Sequence, residues 1–152
     1  MKDQEVRQES VMNAYRMLET LAYLDRQVTG IRDEARSIKP DIPKSLVKKL
    51  DDVQVQMDSL HSKMVATKEG KVTGEERLRE KIAFIYGTIL SYHGKPTDSQ
   101  VSGLNSLEKE VEKISKNITN FMKKDLLTIN QELVKANITE IRILSEEEFR
   151  KE

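Results

Sequence analysis

A chain of 152 residues with 26 basic and 26 acidic side chains carries no net field to draw in nucleic acid or anionic lipid. The absence of cysteine excludes disulfide scaffolds and thiolate metal sites. No apolar run approaches the roughly 20 residues of a membrane helix, and the opening "MKDQEVRQES" lacks the apolar centre of a signal peptide.

The apolar spacing is helical nearly throughout. Ala14, Met17, Leu21, Leu24, Val28, Ile31, Ala35 and Ile38 alternate steps of three and four, which places them on one stripe of a helix over 4–39. Pro40 stops it, because proline has no amide donor and restricts the residue before it. Asp41 is a candidate cap for the next helix, 43–69, whose stripe is Leu46, Leu50, Val53, Met57, Leu60, Met64 and Thr67. Gly70 suits the left-handed end of that helix. Thr73 and Glu76 form a T-x-x-E capping box, predicting a third helix over 74–93 with Leu78, Ile82, Ile85, Ile89 and Tyr92 inward.

The stretch "SYHGKPTDSQ" then reads as stop, turn and start. Gly94 occupies a helix-ending position, Pro96 separates two elements, and Thr97 with Gln100 makes a T-x-x-Q box opening a helix over 97–136. That helix carries Val101, Leu104, Leu107, Val111, Ile114, Ile118 and Phe121 on one stripe. Met122, Leu126, Ile129 and Leu133 continue the stripe one position late, which predicts a local rewinding near Lys123–Asp125. Asn137 ends it, "ITEIRIL" alternates like an edge strand, and Ser145 with Glu148 caps a short helix within 145–152.

Four amphipathic segments with short connections imply an all-α fold: an elongated antiparallel four-helix bundle, three-helical at one end, with a short extended C-terminal tail. The bundle is expected to form one domain over 1–144.

The chemistry-bearing residues do not assemble into a motif. A phosphate loop needs four residues between its glycines and a hydroxyl after its lysine, whereas six residues separate Gly87 from Gly94 and Lys95 precedes proline. Di-iron bundles use two Glu-x-x-His pairs, and the nearest relative here is the single Asp58-x-x-His61. The other histidine, His93, follows an apolar helix, and no G-x-S-x-G elbow occurs. The run Glu108, Glu110, Glu112 reads as a solvated helix face. No catalytic, cofactor-binding or metal-binding residue is therefore assigned. Candidate partner contacts are Tyr15, Tyr23 and Tyr86 beside the stripes, with Ile141 and Ile143 in the tail.

The second half of the chain resembles a known segment. "RLREKIAFIYGTILSYHGKPTDSQ", "LNSLEKEVEKI" and "DLLTINQELVKANITEI" are similar to the C-terminal helical domain of bacterial sortilin-like, Asp-box (BNR) repeat proteins, often labelled glycosyl hydrolases. The matching positions are Leu78, Arg79, Ile82, Ile85, Tyr86, Gly87, Gly94, Pro96, Thr97 and Gln100, then Leu104, Leu107, Asp125, Leu126, Asn130, Leu133 and Ile138. The Asp-box itself, S-x-D-x-G-x-T-W, is absent, and the chain has no Trp. The resemblance implies a non-enzymatic accessory domain of an exported propeller protein, with the propeller or a second copy as protein partner. The rivals are a helical sensor or oligomerisation module, marked by a polar cavity, and an enzyme joining His61, His93 and carboxylates in one pocket.

Overall fold

The computed structural model describes residues 2–38, 41–66 and 77–152. Among these the chain is a helical bundle without strands: α1 (Lys2–Ser37), α2 (Lys44–Met64), α3 (Leu78–Leu90), α4 (Asp98–Phe121), a π-helical turn (Met122–Leu126), α5 (Leu127–Lys135) and α6 (Glu146–Arg150). Pro40, Thr67, Gly70, Thr73 and Glu76 lie outside the described residues.

The helices follow their apolar stripes. Every stripe position of α1 from Ala14 to Ala35, and of α2 from Leu46 to Met64, is buried. In α4 the buried positions run Leu104, Leu107, Val111, Ile114, Ile118 and Phe121. The next core residue is Leu126, five positions on, and the π turn occupies the gap. A π turn accommodates one extra residue, so the second stripe, Leu126, Ile129 and Leu133, still faces inward.

Several element ends differ from the sequence expectation, each for a local reason. α2 opens at Lys44, and the amides of Leu46 and Val47 donate to the Pro43 carbonyl, so Asp41 is not its cap. α3 opens at Leu78 because Arg77 is extended (φ −106°, ψ −173°), and the Glu80 carboxylate accepts from the Arg77 and Ala66 amides. α3 closes at Leu90 with Ser91 as its last right-handed residue, so Gly94 does not end it. Instead, a Cβ at Gly94 would stand 2.8 Å from Cζ of Tyr92: the glycine makes room for that ring. Tyr92 consequently lies out of the core, 68 % exposed.

The chain divides into two compact units. One comprises Met1–Ala22 and Ser62–Ile114, and holds the core of Met17, Leu21, Ile82, Ile89 and Leu107. Within it the Arg7 guanidinium donates to the carbonyls of Leu90 and Tyr92, so the start of α1 lies beside the end of α3 and the two run antiparallel. A cation at that end also suits the helix dipole. Thr97 and Gln100 cap α4 reciprocally, amide to side chain in both directions at 2.9 and 3.1 Å. Gln100 also donates to the Thr88 hydroxyl, joining α4 to α3.

The other unit comprises Tyr23–His61 and Ser115–Glu152. There α1 and α2 run antiparallel, tied by Arg32 to Asp58 at 2.9 Å and by His61 to Asp25 at 2.5 Å. Lys49 reaches Glu132 of α5 at 2.6 Å. Its core joins Leu24, Val28, Met57, Leu126 and Leu133.

Candidate interaction surfaces

Each unit presents one surface that packing alone does not explain. In the first it is the outer side of α3. The sequence LREKIAFIYGTIL is apolar on more than one face: Leu78, Ile82 and Ile89 are buried, yet Phe84 is 70 % and Leu90 43 % exposed. Ala83 and Gly87 lie exposed between them, and a Cβ added at Gly87 would meet nothing. Exposed Phe84 and Leu90 thus give α3 an apolar strip outside its buried stripe. Tyr86 is half-buried on the same helix. Tyr15, 47 % exposed on α1, has its phenol held above the ordinary value by a hydrogen bond to Glu19, with Tyr86 close enough to add to the effect.

In the second unit the surface is a groove already filled. After α5 the chain reverses at Asn137, whose φ of 60° is left-handed. The Ile138 amide donates to Leu133 and the Asn137 amide to Val134, a Schellman turn. The residues that follow make no strand. Their backbone is met instead by side chains. Asn130, nearly buried, accepts from the Ile141 amide at 2.8 Å and donates to the Ile141 carbonyl at 3.1 Å. Glu34 accepts from the Arg142 amide. The Tyr23 hydroxyl and the Gln27 amide both donate to the Leu144 carbonyl.

Tyr23 and Ile141 both meet the chain's own tail segment: the half-buried Tyr23 ring lies 5.7 Å from that of Phe149 in α6, and burial, with Glu146 nearby, pushes its phenol up. Ile141 is buried and fills the groove, whereas Ile143 faces solvent. Beside the tail, Glu34, Ser37, Ile38, Asp41, Ile138 and Arg142 line part of an open cleft of about 740 Å³.

The histidines take separate roles. His61 pairs with Asp25, which sequence reading missed because the two lie 36 residues apart. Asp58, three positions before His61, is engaged by Arg32 and Arg36. His93 offers its carbonyl to Gln4. Among the described residues no group of three or more acidic or histidine side chains could hold a metal. No helix there is long and apolar enough to cross a membrane.

No family model, curated protein or solved structure matches this chain.

Two features of these surfaces had a visible trace in the sequence. Phe84 and Leu90 fall off the inward stripe of α3, which already marks a second apolar face. Asn130 follows Ile129 inside an apolar pattern, an amide where the stripe leads the eye to expect a core side chain. Nothing local, in contrast, tells which backbone Asn130 would meet.

Proposed function

We propose that the chain is a non-catalytic helical interaction domain that docks on an apolar protein surface through the outer face of α3. The observation that carries this reading is the exposure of Phe84 and Leu90 on a helix whose opposite side is buried. Its occupant, on this reading, is a propeller of a larger exported protein. The sequence resemblance supports that choice, since it spans 75–141 and so includes all of α3. The buried amides Gln27 and Asn130 are both engaged by the chain's own backbone.

The test uses the coding sequence upstream in the same reading frame. If it encodes Asp-box repeats, the propeller segment is expressed separately and titrated with this chain. Phe84→Ser with Leu90→Ser is expected to weaken binding at least tenfold while leaving the helical circular dichroism and melting temperature unchanged. An upstream frame without such repeats, or binding indifferent to the double substitution, defeats the reading.

A further inference from the structure

The tail groove recognises main chain. Between Ile138 and Ser145 its bonds are made by Asn130, Glu34, Tyr23 and Gln27 to backbone atoms of Ile141, Arg142 and Leu144, and one side chain, Ile141, fills the apolar site. None of these contacts requires that the occupant be covalently continuous with α5. What keeps the tail on its own body is the left-handed turn at Asn137 and two amide bonds, to Val134 and Leu133.

We infer that the groove also accepts the tail of a second copy, so that the chain forms an arm-exchanged dimer. The occupant is fixed by observation: the segment shown to fit is 138–149, and every copy carries it. In the exchanged state the same side chains meet the same backbone atoms, and α6 with Phe149 again packs on a Tyr23 ring. The balance between the two states is then set by the turn at 137 and by concentration, the usual conditions for exchange of an identical element. The inference does not depend on the α3 reading, because the groove and that face share no residue.

The experiment changes the hinge. Proline cannot adopt a φ of 60° and lacks the amide that Asn137 donates to Val134, so Asn137→Pro opens the turn. Light scattering should then show a dimer with a dissociation constant at least tenfold below that of the unmodified chain. Asn137→Gly, which keeps the left-handed turn, should dimerise no more tightly than the parent. Adding Asn130→Ala to the proline variant should return it to monomer, whereas adding Phe84→Ser and Leu90→Ser should leave the dimer intact. A helical but monomeric proline variant overturns the inference, as does a dimer that ignores Asn130→Ala. Should the proline variant fail to fold, the unmodified chain decides: two differently tagged copies, incubated together at millimolar concentration, must give a mixed dimer by native mass spectrometry. Its absence overturns the proposal.

Discussion

Asn130 is the residue on which the second unit's tail depends most. Its side chain satisfies both the amide and the carbonyl of Ile141 in a nearly dry place. Asn130→Ala strands those two groups, at about 1–3 kcal/mol for each one left unpaired. Urea denaturation should show a loss of that order, and the Ile141 amide should lose its protection from hydrogen exchange. Tyr23 gives the tail a pH limit. Its phenol is pushed up chiefly by burial, so the folded state holds the proton more tightly than the unfolded chain does. The stability this provides is complete below the ordinary phenol range near 10 and is lost as pH rises through the raised value. Phe149 should therefore lose its contact in strongly alkaline solution, a change that nuclear magnetic resonance can follow at its ring, and Tyr23→Phe should remove that dependence.

At the scale of elements, the π turn explains how two out-of-phase stripes belong to one inward face. Phe121 and Leu126 are five apart, and the surplus residue is absorbed among exposed Lys123, Lys124 and Asp125. Deleting Lys124 should restore ordinary helical spacing while keeping Leu126, Ile129 and Leu133 inward, so the melting temperature should hold or rise. Deleting Lys116 instead rotates every later core position by about 100° and should unfold the second unit. Equal effects from the two deletions would refute this account. The phase slip was legible in the sequence because periodicity is local, and so was the Thr97–Gln100 cap, whose partners lie three residues apart. The end of α3 was not. Gly94 resembles a helix terminator, yet the closure depends on Arg7, more than eighty residues away in sequence, reaching the last carbonyls.

For the molecule as a whole, apolar stripes specify the helical fold, and the chain's even balance of 26 cations and 26 anions gives it nothing to repel copies of itself at neutral pH. Repulsion between copies should accordingly be weakest near pH 7 and grow on either side. Static light scattering across pH should show that minimum, and a profile that rises or falls steadily through neutrality would refute it. What sequence could not supply at this scale is long-range pairing: His61 with Asp25, Lys49 with Glu132, and the tail with α1 all join residues that only the fold brings together.

The way the groove holds its tail sets what can be written there. Since the grip on 138–144 is on peptide groups that all amino acids share, the spelling there is largely free apart from the isoleucine at 141, and Phe149 against Tyr23 is the second side chain that demands a particular shape. The segment is thus a natural mounting point: foreign sequence grafted between those two anchors would be seated in the same path, which makes it a ready socket for labels or engineered epitopes.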